Sequence, residues 1–231
     1  MGPMVRRRRL EIALEGVDAH PEPKAWLEQY TIPSRTAAEI LSIADMNGDI
    51  SDKNVVDLGC GTGRLAIGAA ILGAAKVIGV DIDLAAVKVA KANSERISVR
   101  EVTDWVNADI DAVVGRFDTA IMNPPFGTRI RHSDRRFLLK ALSIADSVYS
   151  LHKRSTRDYL LRLIRERVQD LTLYEMELQI PRTFDFHERK RYKVEVDLYV
   201  MRSGGEQSKS KSSHSLYEQS KNQCEAPTQI I

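Results

Sequence analysis

The sequence predicts an α/β fold: a mainly parallel sheet with helices on both faces and an antiparallel strand pair at its end. Three observations predict it. Between Asn54 and Met122 short β-branched runs alternate with helical stretches, and the connections between them stay short, as in parallel strands joined by crossover helices. The first run leads through Gly59-Cys60-Gly61-Thr62-Gly63 into a helix, a turn whose backbone meets its neighbours without Cβ obstruction. Towards the end, Thr172, Tyr174, Met176, Leu178 and Ile180 alternate with polar residues, as do Val194, Val196, Leu198 and Val200. Such alternation marks half-buried antiparallel strands.

Taken in order, residues 1–19 read as a basic arm (Arg6 to Arg9) and a short helix over Leu10–Val17, broken by Pro21 and Pro23. Residues 20–202 form the globular domain. Ala37, Ile40, Leu41 and Ala44 stand at i, i+3, i+4 and i+7, one face of a helix that stops near Asn47-Gly48. Asn54–Leu58 is the first strand, Arg64–Leu72 a helix closed at Gly73, and Lys76–Val80 a strand ending in Asp81-Ile82-Asp83. Ala85–Asn93 is the next helix. The third strand is expected at Ser98–Val102, with a further element through Trp105–Ala108 and the fourth strand at Phe117–Met122. Phe137, Leu138, Ala141, Leu142, Ala145 and Val148 make a helical stripe, although Ser147–Leu151 already has strand character. Arg157–Val168 is a helix with an arginine-laden face. Residues 203–231 are rich in Ser, Lys and Gln with little to bury, and read as a disordered tail.

Composition excludes several classes. With 43% hydrophobic and 29% charged residues the chain resembles an ordinary soluble protein. No apolar run reaches the roughly eighteen residues of a membrane span, and no hydrophobic stretch follows the arginines to make a secretory signal. Cys60 and Cys224 are the two cysteines, which argues against a disulfide framework or a protein zinc site and fits a reducing, cytoplasmic setting. Net charge is +2 but lopsided. Leu10 to Pro125 holds 10 Lys+Arg against 18 Asp+Glu, whereas Phe126 to Lys193 holds 16 against 9. That asymmetry is compatible with a solvated surface and with a face that binds a polyanion.

Asn123-Pro124-Pro125-Phe126 follows the fourth strand. Two prolines stop the sheet ladder and stiffen the chain leaving it. The strand exit therefore holds an amide, free carbonyls and an aromatic ring at the edge where open α/β sheets bind ligands; a plain strand-ending turn is the alternative. In the glycine loop, Arg64 occupies the third-glycine position of the dinucleotide fingerprint, which weakens a pyrophosphate reading. The loop is either a ligand cradle or a structural turn. Asp81, closing the second strand, can accept both hydroxyl hydrogens of a ribose or serve as a helix cap, the role expected of Asp83.

Asp57-Leu58-Gly59-Cys60-Gly61-Thr62-Gly63, Asp81 and the Asn-Pro-Pro-Phe turn, in this order and spacing, resemble the class I S-adenosyl-L-methionine-dependent methyltransferases. In that superfamily the turn marks enzymes that methylate planar amide or exocyclic amino nitrogens. The resemblance extends to Leu27-Glu28-Gln29-Tyr30, Phe126-Gly127-Thr128, Val148 to Lys153, Phe186-His187 with Lys190, and Val194 to Leu198. These segments are similar to the methyltransferase-like family that makes N6-methyladenosine in small-subunit ribosomal RNA, and the similarity covers roughly residues 20 to 200. It implies a Rossmann-like seven-stranded fold, S-adenosyl-L-methionine as cofactor and no metal. Catalytic positions fall on Asn123, Pro124, Pro125 and Phe126. Cofactor positions fall on Gln29, Gly59, Cys60, Gly61, Thr62, Gly63, Arg64, Asp81, Ile82, Asp109 and Ile110, with a threonine contact carried by Thr31. Thr62 stands where eukaryotic members carry cysteine, and Ile32 stands at their threonine position.

The resemblance also implies partners: ribosomal RNA, and a small zinc-binding activator subunit that adds to a sheet edge. Arg129, Arg131, His132, Arg135 and Arg136 after the turn, Lys153, His187, and Lys190 with Arg189, Arg191 and Lys193 are the candidate RNA contacts, gripping phosphates around the target. The rival readings are a protein glutamine N5-methyltransferase, a guanine-N2 RNA methyltransferase and a catalytically silent cofactor-binding scaffold.

Overall fold

The computed structural model describes residues 3–24, 29–126, 133–181 and 191–204. Arg129, Arg131, His132, His187, Arg189, Lys190, Cys224 and the tail beyond residue 204 lie outside the described residues. Among the described residues seven strands form one sheet: β1 (Asn54–Leu58), β2 (Lys76–Asp81), β3 (Thr103–Asn107), β4 (Phe117–Met122), β5 (Ala145–Lys153), β6 (Val168–Pro181) and β7 (Arg191–Ser203). Their order is β3-β2-β1-β4-β5-β7-β6. The first five are parallel, and β7 runs antiparallel between β5 and β6. Strand order reverses between β1 and β4, which opens a crevice at their carboxyl ends.

Among the described residues six helices flank the sheet: α1 (Pro3–Glu15), α2 (Ser34–Met46), α3 (Arg64–Ile71), α4 (Leu84–Arg96), α5 (Ser133–Ile144) and α6 (Arg157–Ile164). Successive strand residues point to opposite faces, so Val55 and Val56 enter different cores. One core joins Val55, Val77 and Ile121 to Leu14 of α1, Leu41 of α2 and Ile67 of α3. The other joins Val56, Ala120 and Met122 to Leu138 of α5 and Leu160 of α6. Leu14, Leu41, Ile67, Leu138 and Leu160 are nearly or fully inaccessible, each stabilising the fold by roughly 1.5–3 kcal/mol.

Four local expectations are corrected. The first helix begins at Pro3 instead of Leu10, since proline lacks only an N–H that the first turn cannot use. Leu10, Leu14 and Val17 are buried with the α2 and α3 side chains, so the N-terminal arm packs onto the domain. The third strand is Thr103–Asn107, not Ser98–Val102; Ser98 has φ +60° and Arg100–Val102 is a 3₁₀ turn. Helix α5 ends at Ile144, so Ala145 and Val148 belong to β5, where Ala145 pairs with Phe117. Helix α6 ends at Ile164, not Val168. Among the described residues no helix is long and apolar enough to cross a membrane.

Candidate active site

Register brings the sequence motifs to one level. Asp57 of β1 pairs with Gly79 of β2 and with Ile121 of β4. Two residues further on, Gly59, Asp81 and Asn123 leave their strands side by side. Asp81 itself pairs with Asn107 of β3, and the Asn107 side-chain amide donates to the Asp81 and Ile82 carbonyls at 3.1 and 2.9 Å. That fixes the backbone at the end of β2.

The glycine turn is held against β2 by its own amides. Gly59 and Cys60 N–H donate to the Val80 carbonyl at 2.8 and 3.0 Å, and Gly61 N–H donates to Asp81 Oδ2 at 2.8 Å. Gly63, at φ +87°, caps α3 in the left-handed region, and a Cβ there would lie 2.5 Å from the Trp105 ring. Asp57 accepts from the Ala66 amide at 3.0 Å. Its Oδ1 and Thr62 Oγ1 are buried without a hydrogen-bond partner. Burial pushes the Asp57 carboxyl up to about 8, aided by the charge of Asp81 and opposed by the Ala66 amide. Burial also raises the Asp81 carboxyl, against the Asp83 and Gly61 amides that lower it. Two orphaned buried oxygens beside a turn of glycines fit a ligand that brings N–H or O–H donors to backbone at close range. Cys60 is buried and free, and burial raises its thiol well above the ordinary value.

Residues 17–24 and 29–32 lie at this crevice and are fastened at several points. The Arg64 guanidinium donates to the carbonyls of Val17 and Ile32, both at 2.6 Å, clamping the two stretches together. Buried Asn93 donates to the carbonyls of Asp18 and Thr62 at 3.2 and 3.0 Å. Asp83 caps α4 as expected, accepting from the Ala85 amide at 3.1 Å. Its carboxylate also takes Gln29 Nε2 at 2.9 Å, His20 Nε2 at 3.1 Å and Lys24 Nζ at 3.1 Å. Thr31 is half-buried next to Ile32, which is buried. Gln29 and Arg64 are thus engaged with protein groups, a role that motif reading did not supply.

At the exit of β4, Asn123 is half-buried, Pro124 buried and Phe126 9% exposed. Asn123 Oδ1 accepts from the Tyr30 hydroxyl at 2.8 Å. The Tyr30 and Phe126 ring centroids lie 5.6 Å apart with planes inclined at 34°, and Lys153 Nζ stands 5.4 Å from the Phe126 ring centre. The Pro125 carbonyl accepts from Ser133 Oγ at 3.2 Å, which ties the turn to the start of α5. The arrangement offers an acceptor oxygen beside an aromatic ring with a cation close by. It can hold a planar group that carries an N–H donor. Tyr30 belongs to a recognised motif, but only the fold shows that its hydroxyl reaches residue 123.

Asp109 N-caps a 3₁₀ turn by accepting from the Asp111 amide at 2.8 Å, and Ile110 beside it is buried. Arg136 bonds both Asp109 and Asp111. Arg135 and Arg136 therefore lie on α5 and not in a loop, and Arg136 is committed to these carboxylates. Arg135 is exposed. Ile82 keeps 58% of its surface exposed at the end of β2. Among the described residues no cluster of side chains suited to a metal ion occurs.

Comparisons with known proteins agree on the family. The model of the methyltransferase small domain matches residues 36–148. Over 201 residues the chain is 39% identical to the rRNA N(6)-adenosine-methyltransferase of Danio rerio, covering 84% of this chain and 97% of that one. Over 211 residues it is 38% identical to the rRNA N(6)-adenosine-methyltransferase of Drosophila melanogaster, covering 87% and 99%. The crystal structure of a candidate RNA methyltransferase from Pyrococcus horikoshii superposes with a TM-score of 0.78 at 39% identity, over 86% of this chain and 98% of that one.

Proposed function

Because this chain belongs to the family of rRNA N6-adenosine methyltransferases, we propose that it transfers the methyl group of S-adenosyl-L-methionine to the N6 amino group of an unpaired or flipped adenosine in small-subunit ribosomal RNA. The observation that carries the reading is the common level of Gly59, Asp81 and Asn123 at the switch point of the sheet. The glycine turn with Asp57, Thr62 and Asp81 would hold the cofactor. Gln29, Thr31, Arg64, Ile82, Asp109 and Ile110 would border it. The bound cofactor supplies an electrophilic methyl group on a sulfonium, so the chain need supply no covalent nucleophile.

The work left to the protein is placement. Positioning two reactants for in-line transfer accounts for about 7–11 kcal/mol of a barrier. The adenine amine is a poor nucleophile because its lone pair is conjugated with the ring. Asn123 Oδ1 and the Pro124 carbonyl would accept its two hydrogens, favouring the pyramidal nitrogen of the transition state over the planar ground state. Pro125 stiffens the turn, and Phe126 would stack on the base for about 1–3 kcal/mol. A paired adenine cannot reach this turn, so the target must be unpaired or flipped out. Arg135 and Lys153 would contact phosphates, together with Arg129, Arg131, His187 and Lys190.

The activator subunit is part of the same proposal. β3 is an edge strand, and its Val106 is exposed, as apolar surface awaiting a cover would be. Free Cys60 agrees with a cytoplasmic setting. The test is a digest of rRNA methylated by the purified chain, alone and with such a subunit, analysed by mass spectrometry. N6-methyladenosine is expected; label in guanosine or in protein glutamine would reject the reading.

A further inference from the structure

Tyr30 makes two of the three contacts that the reading above assigns to the target base, those to Asn123 and Phe126. Its hydroxyl donates at 2.8 Å to Asn123 Oδ1, the oxygen assigned to an N–H of the adenine amine. Its ring lies 5.6 Å from Phe126 and 34° from parallel, over aromatic surface assigned to the base. One side chain therefore supplies an N–H-like donor and a planar face in the same place. The residues on either side are anchored elsewhere: the Gln29 side-chain amide to Asp83 at 2.9 Å, and the Ile32 carbonyl to Arg64 at 2.6 Å. Tyr30 itself is half-buried, so its ring can turn out without releasing either anchor.

We propose that Tyr30 is the adenine's place-holder: in the RNA-free enzyme it fills the base position, and rotation of its side chain clears that position for the flipped adenosine. The inference rests on the reading of Asn123 and Phe126 as the base contacts. A filled site leaves neither the Asn123 oxygen nor the Phe126 face without a partner while RNA is absent. It also sharpens selection, because only a base bringing both an N–H donor and a planar face replaces what Tyr30 gives up. The consequence for binding is a tax: the apparent constant is the intrinsic one divided by the fraction of molecules with Tyr30 turned out. The hydroxyl's bond to Asn123, at ordinary strength, contributes about three- to tenfold to that tax.

Tyr30→Phe removes the hydroxyl and keeps the ring. With the full chain and an RNA hairpin bearing one unpaired adenosine, its KM for RNA is expected to fall by about three- to tenfold. Its kcat is expected to stay within about twofold of the parent, with unchanged calorimetric affinity for S-adenosyl-L-methionine. An unchanged or raised KM, or a loss of kcat beyond that range, overturns the proposal, since a residue that merely props Asn123 would slow transfer. If the parent makes no N6-methyladenosine, it is the functional reading that has failed. Anisotropy of the labelled hairpin then decides on Tyr30: tighter binding by Tyr30→Phe supports the place-holder, and unchanged or weaker binding ends it.

Discussion

Gln29 donates its side-chain amide to the Asp83 carboxylate at 2.9 Å, joining the residue before Tyr30 to the N-cap of α4. His20 and Lys24 bind the same carboxylate, so one buried acid gathers His20, Lys24 and Gln29. Burial alone would raise the Asp83 carboxyl, but the hydrogen bonds from Gln29, Lys24, the Ala85 amide and His20 outweigh it and hold the group at about 2.

The sign follows from linkage. The folded value lies below the ordinary 3.8, so the stabilisation is present above about pH 4 and is lost as pH falls towards 2. Asp83→Asn keeps an acceptor for the Ala85 amide but removes the charge. It is expected to lower stability by about 2 kcal/mol at pH 7. Urea titrations of parent and variant should converge as pH reaches about 2; a difference that persists there would mean packing, not charge, was lost.

Asn123→Ala removes the acceptor oxygen at the β4 exit and leaves the glycine turn untouched. Methyl transfer is expected to fall by on the order of 10²–10³, the scale of removing one positioned polar group from a reacting centre. Cofactor affinity measured by calorimetry should stay within about threefold, because Asp57 and Asp81 lie on β1 and β2 and Thr62 in the turn between β1 and α3. Parallel loss of both would assign Asn123 a structural role.

Some of this was legible before folding. Strands β1 and β4 begin and end where their apolar runs do, because Gly59 and Pro124 punctuate them. The bounds of the third strand are not legible locally, because Ser98–Val102 and Thr103–Asn107 both carry β-branched residues. Pairing of Val77 with Thr103 decides between them, and that is a tertiary choice. The α5–β5 junction was illegible for a related reason. No glycine or proline separates Ile144 from Ala145, and the break is imposed by pairing of Ala145 with Phe117. The glycine turn, Asp81 and the Asn-Pro-Pro-Phe turn announce themselves by residue type and spacing. The Arg64 clamp and the Tyr30–Asn123 bond join residues up to 93 apart in sequence, and no local pattern encodes them.

Glycines 61 and 63 should behave differently when given a methyl group. Gly61 has φ +53° with nothing within 4 Å of a Cβ, so Gly61→Ala should cost only the left-handed backbone, about 1–2 kcal/mol. At Gly63 the same methyl meets Trp105 at 2.5 Å and Ala90 at 3.1 Å, both in place around a packed turn. Gly63→Ala is expected to cost several kcal/mol more, on the order of an overpacked core added to backbone strain. Denaturant midpoints rank the two, and equal losses would show that the turn yields freely.

His152 gives the molecule a second and separate acid sensitivity. Its ring is 1% exposed on β5, with Nε2 2.6 Å from Ser150 Oγ and its edge set against Tyr199 at 5.3 Å between centroids. Burial lowers its pKa from 6.5 to about 3, opposed by the charge of Asp197, its register partner on β7. Asp197 is itself taken by Arg157 and Arg154, which limits what it can offer an imidazolium. The unfolded chain binds a proton near pH 6.5 and the folded one does not until about 3. Stability attributable to the neutral ring is therefore full above pH 6.5 and declines below it by about 1.4 kcal/mol per pH unit. His152→Gln keeps a hydrogen-bonding partner for Ser150 and cannot titrate. Asp57, raised to about 8, adds the same opposite slope to both proteins, so the quantity to read is their difference. From pH 6.5 to 4 the stability of the parent relative to the variant should fall by about 1.4 kcal/mol per pH unit, a window that lies above the one governed by Asp83. Parallel slopes for the two proteins would mean the imidazole takes its proton in the folded state as readily as in water.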